Sequence, residues 1–326
     1  MGSSDDGVAR ARRDVEAGLA GLDLPSAPAS LYDPVRYVLA SGGKRVRPVV
    51  VLLTAEAFGG AEARARAVSA ALAVEVFHNF TLVHDDIMDH AAERRGRATV
   101  HTTWDEPTAV LAGDVMMGLS YELLTRTRGL DAGALLAPYH TMVRRLCEGQ
   151  ALDLEFERRD GVSVEDYLAM IDGKTGALLV LALDLGALIG GAARPAREAV
   201  REAGQALGRA FQIQDDLLDL TADAPGWGKP IGGDLVEGKK SYLLLRALER
   251  AGGDDRAFFE RALGGLAAGD VPEARDRMAA LGVLDDAREA VERYTAVASE
   301  GLGAVPQTPA GDLLRRLALG LAARGT

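Results

Sequence analysis

The chain of 326 residues is 48% hydrophobic and 26% charged, with a formal net charge of −11. That length allows one large core or two modest ones, and the composition is ordinary for a soluble globular protein. The acidic excess, unbroken by any lysine-arginine block, argues against nucleic acid as a partner. The single cysteine, Cys147, excludes an intrachain disulfide framework and fits a reducing cytoplasm.

Residues 1–7 are polar and expected to be disordered, and without an apolar run this end does not read as a signal peptide. Val8–Leu22 has the spacing of an amphipathic helix. Pro25 and Pro28 interrupt the chain before a second short helical segment, Leu31–Ala40. SGGKRVRP, residues 41–48, reads as a glycine-hinged basic loop, and Pro48 suits the first turn of a helix that Gly59 and Gly60 end. Ala61–His90 is one long alanine-rich helical pattern, followed by a loop or turn over Arg94–His101. Thr108–Arg126 and Ala132–Arg158 continue in helical period.

Ser163–Ala193 is helical in spacing, with a break expected at Gly173–Gly176. Its apolar part, Gly176–Ala193, is long enough to consider as a membrane span. Asp184 at its centre is expensive in lipid, so a buried core helix explains it better and no membrane span is expected. Pro195 opens the next helix. Thr221–Lys240, rich in glycine and proline, reads as a long functional loop. Ser241–Arg250, Arg256–Ala268, Val271–Leu281, Asp285–Leu302 and Gly311–Ala323 return to helical spacing. No alternation of β-branched residues occurs, so the expectation is an all-α protein, with residues 1–326 forming one domain as a bundle of many helices.

Two acidic clusters carry the chemistry. Asp85, Asp86 and Asp89 close the helical pattern Ala61–His90, and Asp215, Asp216 and Asp219 repeat their spacing. Residues four apart share a helix face, so Asp85 and Asp89 point the same way and repel unless a cation lies between them. At a helix C-terminus the dipole makes them less favourable still. Oxygen-only ligation suits Mg²⁺, which fills its shell with water and substrate phosphates. Two clusters on an all-α scaffold are able to share metal ions around a diphosphate. Lys44 and Arg47, on the glycine-hinged loop, suit phosphate oxygens. His78 is two turns before Asp85, and Arg94 and Arg95, if extended, point to two different anions. Lys174 and Thr175 sit at the expected helix break, where free backbone N–H groups also bind anions. Lys229 and Lys239 lie in the long loop.

The ordered set GGKRVRP, DDIMD followed by RRG, KTG, FQIQDD and GKPIGGDLVEGKK, from about Ser41 to Tyr242, resembles the trans-isoprenyl diphosphate synthases. The resemblance implies the isoprenoid synthase type I fold, with helices around a central apolar cavity. It implies that Asp85 and Asp89 ligate Mg²⁺ with Asp86 in support, and that Asp215 ligates a further Mg²⁺ with Asp216 and Asp219 beside it, giving three ions per active site. Arg94, Lys174, Thr175, Gln212, Lys229 and Lys239 would bind the allylic diphosphate. Lys44, Arg47, His78 and Arg95 would hold isopentenyl diphosphate. The implied reaction ionises the allylic C–O bond, extends the chain by five carbons and gives the lost proton to diphosphate, with Thr221–Lys240 as a lid hypothesis.

The family's floor positions fall at Thr81 and Phe80, while an ideal helical wheel puts Thr81 and Phe77 nearer the Asp85 face. One bulky and one small residue there, with no insertion in DDIMD, resembles the geranylgeranyl type, with farnesyl diphosphate as the close competitor. Ala98 replaces the family's usual proline after RRG, and the ARGT tail lacks the basic cluster of some relatives. A class I terpene cyclase and a non-catalytic synthase subunit are the rivals. The first does not need Lys44, Arg47 and His78, and the second typically loses the aspartates that this chain keeps. A homodimer is the expected assembly.

Overall fold

The computed structural model describes residues 2–222 and 231–322. In chain order its elements are α1 (Gly2–Ala20), α2 (Ala29–Leu39), α3 (Val46–Met88), β1 (Glu93–Arg94), β2 (Arg97–Ala98), α4 (Val100–Thr103), α5 (Glu106–Thr125), α6 (Ala132–Arg158) and α7 (Val164–Ile171). A π turn, Asp172–Gly176, leads into α8 (Ala177–Ile189). Then follow α9 (Arg194–Thr221), α10 (Gly233–Val236), α11 (Tyr242–Arg250), α12 (Gly253–Ala262), α13 (Val271–Ala280), α14 (Val283–Leu302) and α15 (Pro309–Ala322). The all-α expectation holds, apart from one two-residue hairpin among the described residues.

The chain divides into two compact units. The first comprises Met1–His140, Leu181–Glu198 and Val305–Leu314. Here α3 packs along α1 and α5. Its core contains Val50, Leu52, Leu53, Phe77, Met116, Leu124 and Tyr139, all fully buried. The second unit comprises Thr141–Val180, Ala199–Ala304 and Arg315–Thr326. Its apolar centre is built from Phe156, Tyr167, Ile213, Leu217, Leu244, Phe259, Met278 and Val283.

Three local expectations change. Residues 2–7, expected to be disordered, belong to α1, since extending a helix already nucleated from Val8 onward adds one hydrogen bond per residue fixed. The helix from Pro48 does end at the glycine pair, as expected, with no loop after it. Gly60 alone leaves helical geometry (φ 69, ψ −165), and two helical runs meet there within α3. The segment Arg94–His101 is an antiparallel hairpin followed by α4, with Glu93 opposite Ala98 and Arg94 opposite Arg97. Positive φ at both turn residues, Arg95 and Gly96, gives a turn whose twist suits a hairpin.

The expected break at Gly173–Gly176 is also absent, because the chain stays helical through the π turn. Glycine explains why the turn can sit where it does. A Cβ on Gly149 would lie 2.3 Å from the Lys174 nitrogen, and one on Gly173 would lie 2.4 Å from the Arg145 carbonyl. Backbone therefore packs directly on backbone between α6 and the π turn, and no free helix N-terminus is presented there.

Asp184, the reason for rejecting a membrane span at Gly176–Ala193, is 1% exposed. It accepts two hydrogen bonds from Arg197, at 2.8 and 2.9 Å, which satisfies the buried charge. Among the described residues one helix, α3, is long and apolar enough to cross a membrane, but 67% of its apolar stretch is buried inside the protein.

Candidate functional site

In the first unit, the end of α3 sorts its three aspartates by helix geometry. Asp89 caps the helix in the open and Asp85 is partly exposed, whereas Asp86, a hundred degrees round from Asp85, is only 5% exposed. Arg94, on the hairpin, donates from Nε to Asp86 at 2.5 Å. Burial pushes the Asp86 carboxyl up, and Arg94 pulls it partly back. Asp86 is thus committed to holding the hairpin, while Asp85 and Asp89 share the adjoining face.

Arg95 leads elsewhere. Its guanidinium donates to the Gly42 carbonyl and lies against Gly43, where a Cβ would come within 2.8 Å of it. That glycine is needed for the close approach. Arg94 and Arg95 do point to different places, the first to the aspartates and the second to the loop of residues 41–48. Ala98, the departure from the family pattern, accepts a hydrogen bond from the Tyr37 hydroxyl at 2.8 Å, so its turn is tied to α2.

Around Arg95 lies a basic nest. Arg47 Nη1 is 3.2 Å from His78 Nε2. His78 is held well below its ordinary pKa of 6.5, first by burial and then by Arg47, Arg95, Arg94 and Arg45. It is therefore neutral at neutral pH and takes the Arg47 hydrogen bond through a ring lone pair. Burial also lowers the Arg47 and Arg95 guanidiniums, an effect that Glu75 opposes in both. Arg47 Nε is buried without a hydrogen-bond partner. Lys44 is exposed.

Upstream on α3 an aromatic row descends from the aspartates. Phe80 meets His84 at 4.8 Å and Phe77 at 5.1 Å, and Phe77 meets Tyr139 at 5.6 Å between ring centroids. Phe77 is fully buried, Phe80 is half-buried, and Thr81 donates to the His78 carbonyl. Tyr139 donates to Ser120 Oγ at 2.6 Å. The sequence reading missed Tyr139, Ser120 and His84. Gly113 lies so close to His84 that a Cβ there would be 2.2 Å from Nε2. None of these lies in a motif.

In the second unit the repeat Asp215–Asp219 is sorted in the same way and anchored differently. Asp215 is exposed and Asp216 is 5% exposed. Asp216 accepts from Tyr167 Oη at 2.7 Å, from the Tyr242 backbone N–H at 2.8 Å and from Gln212 Nε2 at 3.2 Å. Burial and nearby Asp234 push its pKa to about 7, against the pull of those hydrogen bonds. Asp219 accepts from the Asp234 backbone N–H at 3.1 Å, which fixes the start of α10.

The π turn is fastened to α9 one contact after another. Asp172 accepts from Arg209 at 2.8 and 2.6 Å and from Gln205 at 2.6 Å. Thr175 donates to Gln212 Oε1 at 3.2 Å. Lys174 pairs with Asp153 on α6. The π turn, a device common at functional sites, thus brings Thr175, Gln212 and Asp216 into one hydrogen-bonded chain, while Lys174 is tied separately to α6. Lys239 is exposed and pairs with Glu237 at 2.7 Å. Lys229, with the rest of residues 223–230 of the expected lid, lies outside the described residues.

Among the described residues no three His, Cys, Asp or Glu side chains converge on a metal position. The donor set still suits Mg²⁺, which binds through one or two carboxylates and takes its other ligands from water and phosphate. Asp85 with Asp89, and Asp215, offer carboxylates of that kind, while the inward Asp86 and Asp216 are committed to Arg94 and Tyr167.

The fold belongs to a class, the all-α isoprenoid synthases. Within that class, the polyprenyl synthetase family model matches residues 28–278, and the chain belongs to this family. It is 42% identical over 242 residues to the geranylgeranyl diphosphate synthase of Sulfolobus acidocaldarius, covering 73% of each chain. It is 37% identical over 332 residues to the geranylfarnesyl diphosphate synthase of Natronomonas pharaonis, covering 94% of each. The crystal structure of geranylgeranyl pyrophosphate synthetase from Pyrococcus horikoshii Ot3 superimposes with a TM-score of 0.91 at 37% identity, covering 98% of this chain and 99% of that one.

Proposed function

We propose that the protein is a prenyltransferase that condenses an allylic diphosphate with isopentenyl diphosphate and releases diphosphate, with geranylgeranyl diphosphate as its product. The observation that carries this is the separation of Arg94, which is bonded to the aspartate cluster, from Arg95, which lies in a basic nest with Arg47 and His78. A terpene cyclase consumes one diphosphate and has no use for that nest.

When bound, Mg²⁺ supplies positive charge to the diphosphate as the allylic C–O bond breaks. Asp85 and Asp89 would hold it in the first unit, and Asp215, with Asp219 beside it, would hold a further ion in the second. Lys174, Thr175, Arg94, Gln212, Lys229 and Lys239 bind the same leaving group, and the charges of the four basic residues with the dipoles of Thr175 and Gln212 stabilise it more as it departs than before. Lys44, Arg47, His78 and Arg95 orient isopentenyl diphosphate so that its double bond attacks the allylic cation. Neutral His78 adds no charge there; with Nε2 accepting from Arg47, its single ring N–H is on Nδ1. The lost proton leaves with the released diphosphate. Phe80 and Thr81 wall the growing chain, with Phe77 packed behind Phe80, and keep water from the cation.

A homodimer and a cytoplasmic location belong to the same proposal. The single cysteine, Cys147, is free and exposed, which suits a reducing compartment. The test is incubation with Mg²⁺, isopentenyl diphosphate and, in turn, dimethylallyl, geranyl and farnesyl diphosphates, with products identified by mass. A C20 product is expected. A C15 or C25 end point would change the product, hydrocarbon without elongation would favour a cyclase, and no turnover by the chain alone would favour a subunit of a heteromeric synthase.

A further inference from the structure

Beside the basic nest, Arg45, which lies inside GGKRVRP without a role assigned to it, meets Glu75, which lies in no motif. Glu75 stands in an apolar stretch of α3, flanked by Val74, Val76 and Phe77, and is 2% exposed. A carboxylate there is held only by strong partners. Arg45 Nη1 donates to its Oε1 at 2.6 Å, and both side chains are 3% exposed. Asn79 donates to the same oxygen at 3.2 Å. The other Arg45 nitrogen, Nη2, donates to the Leu39 carbonyl at 3.0 Å, at the end of α2.

The backbone at Arg45 shows what this pair does. Arg45 is the N-cap of α3 and sits in the left-handed region, at φ 50 and ψ 34. An L-residue stays there only when its surroundings hold it. Gly42 and Gly43 before it also have positive φ and offer no stiffness of their own. The turn that sets the directions of Lys44 and Arg47 is therefore pinned at one inward side chain. Lys44 on one side is exposed, and Arg47 on the other reaches His78.

We propose that Arg45 and Glu75 are the positioning pair of the isopentenyl diphosphate site: their buried ion pair fixes the turn from which Lys44 and Arg47 reach the substrate, and neither touches it. This rests on the reading that Lys44, Arg47, His78 and Arg95 hold that substrate. Glu75 also sustains the charge of Arg47 and Arg95 from below, opposing what burial does to both.

Removing one partner alone strands a buried charge and risks the fold. The double variant Arg45→Met/Glu75→Leu leaves the net charge of the nest unchanged, and apolar replacement of a buried pair is commonly tolerated. Steady-state kinetics on the wild type and this variant should show KM for isopentenyl diphosphate rising about tenfold or more, with kcat and the allylic KM within about threefold. Hydrogen exchange should show faster amide exchange over residues 41–48 in the variant. An unchanged KM for isopentenyl diphosphate in a wild-type-active background overturns the proposal, as does a joint fall in kcat and rise in both KM values. Unchanged exchange over residues 41–48 removes the pinned turn even if KM moves. A wild-type chain that elongates no allylic diphosphate defeats the parent reading instead, and the positioning role with it.

Discussion

The two acidic clusters share one spacing and solve the same problem with opposite chemistry. Each sits near the C-terminal end of a long helix, and in each the second aspartate turns inward because it is a hundred degrees from the first. At Asp86 the inward carboxylate meets a cation, Arg94. At Asp216 it meets a tyrosine hydroxyl, an amide side chain and a backbone N–H, with no cation among those partners and a second acid, Asp234, nearby. Burial raises both inward carboxyls; at Asp86 Arg94 pulls the shift partly back, and at Asp216 it reaches about 7. What the spacing specifies is which oxygens face outward, since the inward anchor is free to vary.

The largest effect should come from the outward aspartates, where the two clusters are proposed to act alike. Asp85→Asn and Asp215→Asn should each lower kcat by about a thousandfold, several kcal/mol of lost transition-state stabilisation, with the melting temperature little changed. Product formation at saturating substrates and Mg²⁺ would measure this. A mild effect at Asp215 beside a severe one at Asp85 would show that the repeated spacing does not mean a repeated role.

The inward aspartates should separate where the outward ones agree. Asp86→Asn breaks a charge-assisted pair and leaves Arg94 without its partner, so it should cost on the order of 2 kcal/mol. Asp216→Asn keeps an acceptor oxygen for Tyr167 and the Tyr242 N–H and removes a charge that burial already disfavours. It should cost less, about 1 kcal/mol or under. Urea unfolding of both variants at pH 7 gives the comparison directly, and equal losses would mean that the anchors differ in appearance only.

How much of this was legible in the sequence follows from the same contrast. Residues that act through spacing were readable. The aspartates, the Arg94–Arg95 divergence and the helical pattern that delivers them all depend on neighbours within a few positions. The anchors were not, because Tyr167 and Asp216 lie 49 residues apart, Arg45 and Glu75 lie 30 apart, and Lys174 and Asp153 lie 21 apart. One signal was present and unused: a glutamate inside VEVFHN has to be buried, and a buried carboxylate needs a partner. The supposed break at Gly173–Gly176 failed for a related reason. Glycine there serves a close approach to α6, a tertiary demand that local propensity reads as a stop.

Burial disfavours the charged form of a group near each cluster, and His78 allows a pH test in the first. Its folded pKa lies well below the ordinary 6.5, so below pH 6.5 the unfolded chain binds the proton and the folded chain does not. Stability from this group is therefore complete above 6.5 and falls as the pH drops, by about 1.4 kcal/mol per pH unit. Denaturant unfolding between pH 7 and 5 should show a shallower acid limb in His78→Gln than in the wild type. Identical limbs would mean that His78 is charged within its nest.

The smallest change in rate, and the most informative difference between the two helices, concerns what lies upstream of the aspartates. On α3 the row Phe77, Phe80 and His84 continues into Tyr139, whereas Phe211 of α9 is half-buried beside Gln212 with no ring contact among the described residues. If α3 alone measures the product, Phe80→Ala should lengthen it by at least one five-carbon unit while kcat stays within about threefold, because the space opened is apolar and away from the reacting atoms. Phe211→Ala should leave the product distribution as it is. Phe77 is fully buried against Tyr139, so truncating it opens core and should cost about 3 kcal/mol of stability. Mass analysis of products from the Phe80 and Phe211 variants decides the matter. An unchanged distribution in Phe80→Ala removes it from the floor and leaves Thr81 as the residue to test. A longer product from Phe211→Ala would mean that both helices bound the chain as it grows.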